Sequence, residues 1–167
     1  GTTRFIDLNP GLASSNPNNL TILNPTTMLF EADNGVGGRE LWKTDGTSEG
    51  TVNITNFPGN LNGISWMKKL GNNIIMGQGI NYELGTIIPK LGNEVYKTNG
   101  ELGDNHLVKE VRPAIYPGVN KYAVNALGTI FFIGDNGNTG WELFKTDGTT
   151  AGTVLVKDIK PGIESSQ

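Results

Sequence analysis

The sequence ELWKTDGT at residues 40–47 returns as ELFKTDGT at residues 142–149, and in altered form as EVYKTNG at residues 94–100. In each copy an alternation of apolar and polar residues runs directly into Asp-Gly or Asn-Gly, a strong signal for a strand that ends in a tight turn. The glutamates that open the three copies are 54 and 48 residues apart. Recurrence at this spacing predicts a protein built from structural repeats.

The repeats can be counted from a glycine that precedes a strand-like opening segment. This boundary divides the chain into repeats 1–49, 50–102 and 103–151 and a partial repeat 152–167. The partial repeat begins GTVLVKDIKPG, which closely matches GTTRFIDLNPG at residues 1–11. We therefore expect the chain to start and stop at the same phase of its period.

Each repeat contains four short segments that favour strands and are separated by Gly, Pro, Asn or Asp. Four strands in a period of about 40–50 residues are typical of one blade of a β-propeller, and a solenoid of stacked β units is the main alternative. The predicted strands of the first and third repeats are 3–8, 20–23, 28–32 and 40–44, and 106–111, 122–126, 129–134 and 141–146.

We predict an all-β, β-propeller-like fold with three four-stranded repeat blades and an extra N-terminal strand at residues 3–8. Residues 152–161 should complete the third blade as its outer strand, which leaves the matching strand at 1–10 without a partner. Unpaired backbone groups at such an edge favour addition to another chain. Closed propellers have about four to eight blades, so the expected partners are further repeat copies or other protein subunits that complete the ring.

Composition supports β structure and excludes several functional classes. The 167 residues include 24 glycines and 8 prolines, and no window carries the apolar i, i+3, i+4 spacing of a helix. The net charge is −3 without a long basic block, which argues against nucleic acid or an anionic membrane surface as a partner. No apolar run is long enough to span a bilayer, and the lack of cysteine excludes disulfides.

The repeated segments resemble the ELWxxDGT repeat family of bacterial secreted and surface proteins. The likeness rests on ELWKTDGT, ELFKTDGT and GTVLVKDIKPG, together with the approaches FEADNGVGGRELW and FIGDNGNTGWELF. The middle repeat departs from the motif: Tyr96 replaces Trp, Asn99 replaces Asp, and extra residues, INYELGTIIPK, occur at 80–90. The resemblance implies tandem propeller-like repeats at an extracellular or cell-surface location, and it implies more about fold than about activity.

The charged residues that recur in every repeat are interpreted as structural. Glu40, Glu94 and Glu142 share one repeat position, whereas a catalytic acid–base pair needs two unlike environments in one cleft. Asp45 and Asp147 precede the turn glycines, where each can accept a backbone N–H in an Asx turn. No cofactor is predicted; calcium is the alternative, because Asp and Asn oxygens recur in glycine-rich loops.

Aromatic residues supply the candidate ligand or partner surface. Trp42, Tyr96 and Phe144 recur with the period and are predicted to lie in the core. Aromatic residues outside shared positions can stack on sugar rings or contact a partner, and the candidates are Trp66, Tyr82, Tyr116 and Trp141.

The predicted function is a non-catalytic extracellular structural or interaction module of a surface assembly, fibre or adhesin. The alternatives are a carbohydrate-binding, lectin-like propeller and a fragment of a propeller-fold hydrolase. The sequence shows no single-copy acid–base cluster, which favours the non-catalytic interpretation. Whatever is specific to this protein is expected at residues 80–90, because the fold does not require the insertion.

Overall fold

The computed structural model describes residues 4–36, 38–55, 61–80, 91–113 and 116–166. These residues form twelve β-strands and no helix, which confirms the all-β prediction. A helix long and apolar enough to cross a membrane is not found among them. Residues 81–90, most of the predicted insertion, lie outside the described ranges.

The described strands form three antiparallel sheets of four strands each, in an open arrangement. Sheet 1 contains β1 (Asn18–Asn24), β2 (Thr27–Asp33), β3 (Arg39–Thr44) and β4 (Val52–Asn53). Sheet 2 contains β5 (Leu61–Leu70), β6 (Asn73–Ile80), β7 (Leu91–Thr98) and β8 (His106–Lys109). Sheet 3 contains β9 (Val119–Ala126), β10 (Thr129–Asp135), β11 (Trp141–Thr146) and β12 (Val154–Lys157).

The sheets are offset from the sequence repeats by one strand. Within each sheet the strands pair in chain order, the motif strand is third, and the fourth strand comes from the start of the following repeat. Sheet 3 is completed in this way by β12, in which Leu155 is the register partner of Phe144. The prediction that residues 152–161 supply the outer strand of the third unit is therefore confirmed.

The single chain does not form the extra N-terminal strand, and its pairing with another chain stays a prediction. Residues 4–8 form no strand, and Phe5 is 51% exposed. Leu8 instead packs against Phe30, Ala32 and Trp42 of sheet 1. The corresponding strands β8 and β12 form because a motif strand lies beside each, whereas no described strand lies beside residues 4–8 to pair their N–H and C=O groups.

Neighbouring sheets meet in two hydrophobic cores, because successive residues of a strand point to opposite faces of the sheet. We call the face that a sheet turns towards the following sheet its back face, and the opposite one its front face. The paired residues are Leu29 and Leu41 (sheet 1, back) with Met76 and Tyr96 (sheet 2, front), and Ile75 and Val95 (sheet 2, back) with Phe132 and Phe144 (sheet 3, front).

The recurring aromatic residues lie on the front faces. Trp42, Tyr96 and Phe144 are all buried, which confirms their predicted place in the core. Tyr96 and Phe144 are covered by the preceding sheet, whereas Trp42 is covered in part by Leu8. Sheet 2 is thus the sheet with a neighbour on each face.

The Asp-Gly turn has the same hydrogen bonds in sheets 1 and 3. The Thr47 N–H donates to Asp45 Oδ1 at 2.9 Å, and the Thr149 N–H donates to Asp147 Oδ1 at the same distance, as predicted for Asx turns. The hydroxyls of the two threonines donate to the same oxygens at 2.7 Å and lower the pKa of both aspartates. The motif therefore closes its turn through contacts between near neighbours in the sequence.

The turn glycines have backbone conformations that favour glycine. The φ angles of Gly46, Gly100 and Gly148 are 92°, 87° and 85°. A left-handed conformation costs a residue with a Cβ about 1–2 kcal/mol. Gly100 also lies close to sheet 1, since a Cβ at this residue would be 2.5 Å from Cδ2 of Leu23.

Gly100→Ala should destabilise the protein more than Gly103→Ala does. Both glycines have positive φ, so each alanine adds about 1–2 kcal/mol of backbone strain. The new Cβ collides with Leu23 at Gly100, whereas nothing described lies within 4 Å of it at Gly103. This overpacking should lower the free energy of unfolding of Gly100→Ala by about 1–3 kcal/mol more than that of Gly103→Ala. Urea unfolding of the two variants measures the difference. Equal losses would show that the Gly100 turn does not contact sheet 1.

Candidate functional site

The three motif glutamates are buried and bind the chain as it leaves their own sheet. Glu94 accepts hydrogen bonds from the N–H groups 17 and 18 residues later, and Glu142 accepts them at the same separations. Glu40 accepts a hydrogen bond from the hydroxyl of Thr55. These contacts hold the chain that follows the fourth strand of each sheet against the motif strand.

Glu94 and Glu142 nevertheless have opposite pKa shifts. Burial raises the pKa of Glu94 to about 8, with a smaller contribution from the charge of Glu110, and outweighs the backbone hydrogen bonds. Glu94 Oε1 is buried without a hydrogen-bond partner among the described residues. Burial also opposes the charge of Glu142, but hydrogen bonds from Ser166 and from two backbone N–H groups lower its pKa.

The structure separates the four aromatic residues predicted as a ligand or partner surface. Trp66 is 3% exposed and packs on Phe132 between sheets 2 and 3, with 5.7 Å between the ring centroids. Its position corrects the prediction that it lies on a surface, because the alternation of β5 turns its side chain into the core. Tyr82 lies outside the described residues. Tyr116 is 55% exposed and Trp141 is half-buried.

Trp141 lines a cleft of about 340 Å³ between sheets 2 and 3. Polar side chains from three further strands converge on it: Ser65 of β5, Asn93 of β7, and Asn120 and Lys121 of β9. The side-chain amide of Asn93 donates to Ser65 Oγ at 3.0 Å. An indole beside hydroxyl, amide and ammonium groups can stack on a sugar ring and form hydrogen bonds with its hydroxyls.

Hydrogen bonds hold the walls of this cleft in place. The Gly118 N–H donates to the Asn93 carbonyl at 2.8 Å, and the Gly118 carbonyl accepts from the Asp135 N–H at 3.0 Å, so one residue links sheets 2 and 3. The backbone N–H of Trp141 donates to Ser165 Oγ at 3.3 Å. The cleft is therefore largely formed without a ligand.

Tyr116 does not line the cleft. Its ring centroid lies 4.8 Å from the guanidinium carbon of Arg112, which forms an ion pair with Asp135. Of the predicted residues that the structure describes, Trp141 alone is brought to the cleft. The polar residues around it were missed, because Ser, Asn and Lys on separate strands carry no shared signal in the sequence.

No described sheet covers the apolar side chains on the back face of sheet 3. Phe131 lines a groove of about 280 Å³ on this face with the exposed residues Tyr122 and Val124. At the position of Phe131 in the other two sheets, Leu29 is 0% and Ile75 is 1% exposed, because a following sheet covers them. Phe131 itself is half-buried.

The front face of sheet 1 is the other uncovered face. It carries a groove of about 250 Å³ whose lining includes Phe5, Leu20 and Met28. Ile22, which lies on β1 together with Leu20, is 66% exposed. These residues lie on the face of sheet 1 opposite the core that it shares with sheet 2.

Comparison with protein-family models, curated proteins and solved structures finds no match. The likeness to the ELWxxDGT family therefore remains a prediction that rests on the motif residues. Within the described ranges, no group of three or more His, Asp or Glu side chains is placed to hold a metal ion.

The free energy of unfolding should fall as the pH rises from about 4.5 to about 8, because of Glu94. In the folded protein its pKa is about 8, whereas the unfolded carboxyl ionises near 4.5, so ionisation favours the unfolded chain across this interval. The decline is at most about 1.4 kcal/mol per pH unit and ends above the folded pKa. Urea titrations at several pH values measure it.

Glu94→Gln should remove this decline, since the amide does not titrate. Glu142→Gln is the matched control. The pKa of Glu142 is lowered, so its titration changes the free energy of unfolding only at acid pH. The decline between pH 4.5 and 8 should therefore persist in this variant. An unchanged decline in Glu94→Gln would show that another group causes it.

Proposed function

We propose that the three sheets are consecutive blades of a β-propeller-like ring, and that the chain is a non-catalytic structural and interaction module whose end faces bind further blades. The placement of the first strands supports this arrangement: β5 contacts both β1 and β9. The inner strands of adjacent propeller blades are neighbours in the same way around the central axis.

The main support for the proposal is a comparison of the residue that follows the motif glutamate in each of the three sheets. Leu41 and Val95 are each 0% exposed because the following sheet covers them. Leu143 has the same place in the motif but is half-buried and lines the uncovered groove of sheet 3. Uncovered apolar surface of this kind marks interaction sites.

A structural role also accounts for the charged residues that recur. The motif glutamates accept hydrogen bonds from the chain of their own sheet, and the turn aspartates accept them from the turn. Their side chains are thus used in building each blade. An extracellular or cell-surface location, in a surface assembly, fibre or adhesin, is proposed from the resemblance to the ELWxxDGT family.

A tandem chain that joins residues 1–161 to residues 11–167 tests the proposal. The junction reproduces a native Pro-Gly step, because 152–161 and 1–10 are copies of one segment. Sheet 1 of the second copy should cover sheet 3 of the first, and the melting temperature in dilute solution should rise by about 5 °C or more over the single chain.

Phe131→Glu in the first copy of the tandem is the control, because a charge on the covered face should remove the gain in melting temperature. The same substitution in the second copy leaves the junction between the copies intact. A tandem that melts at the temperature of the single chain would contradict the proposal that the end faces accept further blades.

Carbohydrate binding is the second candidate function, and the cleft at Trp141 favours it. A glycan array should identify a sugar. Trp141→Ala should weaken its binding by at least about tenfold, since an aromatic residue at the centre of a binding site typically contributes about 2 kcal/mol or more. Tyr122→Ala is the matched control, because Tyr122 is an exposed aromatic residue outside the cleft. Equal binding by both variants would exclude the cleft as the sugar site.

A further inference from the structure

The cleft at Trp141 has a lining that favours ligands with a negative charge. Its polar groups are the hydroxyl of Ser65, the amides of Asn93 and Asn120, and the ammonium group of Lys121. Within the described part of the chain, neither Asp nor Glu is among the lining residues. We propose that this cleft binds a sugar ring that carries a carboxylate or sulfate group. The inference rests on the carbohydrate-binding candidate and names the class of sugar that the cleft takes.

Lys121 supplies the positive charge of the cleft. It is exposed, its Nζ lies 5.7 Å from the ring centroid of Tyr122, and it forms no ion pair with any residue that the structure describes. Asp135, whose backbone N–H binds Gly118 at the wall of the cleft, is paired with Arg112 instead. The ammonium group of Lys121 is therefore left to an anionic ligand, with which it forms a charge-assisted hydrogen bond.

The neutral side chains add further donors. Asn120 Oδ1 accepts from the backbone N–H of Lys121 at 2.7 Å, which leaves the Asn120 Nδ2 group to donate to a ligand. Ser65 Oγ accepts from Asn93 Nδ2 at 3.0 Å, so the Ser65 hydroxyl hydrogen is also left to donate. Carboxylate and sulfate oxygens accept such bonds, while Asn93 Oδ1 is left to accept from a sugar hydroxyl. An acidic sugar thus matches both kinds of group.

The size of the cleft and its aromatic residue suit a sugar ring. The volume of about 340 Å³ lies at the low end of the range for small-molecule sites, which is about 300–1,000 Å³. Trp141 is half-buried, so part of its indole is open to a ligand. A sugar ring has an apolar face that stacks on an aromatic ring and polar groups around its rim. The ring therefore contacts Trp141 while its acidic group binds Lys121.

The corresponding place between sheets 1 and 2 is occupied by an ion pair. Arg39 Nε lies 2.8 Å from Glu31 Oε1, and this oxygen also accepts a backbone N–H of sheet 2 at 3.1 Å. Asn93 is equivalent to Arg39, because both precede the motif glutamate, and Gly77 is equivalent to Glu31, because both are register partners of the residue after that glutamate. The interface between sheets 2 and 3 thus has smaller side chains at both positions and lacks the acid.

Binding to pairs of glycans that differ only in the acidic group tests the proposal on the full chain. Oligosaccharides of hexuronic and sialic acids are compared with their methyl esters, and O-sulfated oligosaccharides with their unsulfated forms. At least one acidic glycan should bind about tenfold or more tightly than its neutral partner, because a hydrogen bond to a charged group is lost in the neutral form. The pair that shows this difference identifies the group as carboxylate or sulfate.

Substitutions of lysine locate the charge. Lys121→Gln should reduce the affinity for the acidic glycan to about that for its neutral partner, whereas Lys121→Arg should retain the preference. Lys157→Gln is the matched control, because Lys157 is an exposed residue of the same sheet outside the cleft and its loss changes the net charge equally. Trp141→Ala should weaken the binding of both members of the pair. Circular dichroism checks that each variant is folded.

The outcomes separate this inference from the functions on which it rests. Equal binding of acidic and neutral partners would overturn the acidic class but leave carbohydrate binding in place. A preference for acidic glycans that persists in Lys121→Gln, or that Lys157→Gln weakens equally, would overturn the cleft as its origin. If no glycan binds, this inference and the carbohydrate-binding candidate both fail, whereas the tandem chain tests the packing of blades independently.

Discussion

The packing of one sheet's back face on the next sheet's front face is the interaction on which the rest of the structure depends. In the first of these interfaces, Leu29 and Leu41 share a core with Met76 and Tyr96. A four-stranded sheet with apolar residues on both faces cannot bury them alone. Each motif strand can therefore be fully buried only between neighbours. Sheet 2 has two neighbours, whereas sheets 1 and 3 have one each, and this difference explains the exposed apolar residues at both ends.

The turn that follows the motif strand links local and long-range structure. Its hydrogen bonds are local, since Asp45 binds Thr47 and Asp147 binds Thr149. Its glycine is required twice over, once by positive φ and once by contact with the preceding sheet at Gly100 and Gly148. One short motif thus forms a tight turn and, because its glycine has no side chain, also allows that turn to pack closely on the neighbouring sheet.

Sheet 2 combines the most complete burial with unsatisfied polar atoms. Among the described residues, Trp66 Nε1, Gln78 Nε2, Glu94 Oε1 and Asn105 Oδ1 are buried without hydrogen-bond partners. Each such group costs about 1–3 kcal/mol, which packing on both faces of the sheet offsets. Burial also raises the pKa of Glu94, because a carboxyl removed from water is more stable without its charge.

The sequence by itself determined the features that depend on neighbouring residues. These are the β class, the four-strand period, the Asx turns with positive-φ glycines, and the burial of Trp42, Tyr96 and Phe144. Each depends on the alternation of apolar residues or on turn residues, and both patterns involve only residues close together in the sequence. Tertiary structure decided the rest. Residues 4–8 resemble a strand but lack a pairing neighbour, and Trp66 lies in the core rather than on a surface. The cleft at Trp141 and the exposure of Phe131 depend on which sheets lie side by side, and equivalent residues of different repeats acquire different surroundings only when the sheets are stacked.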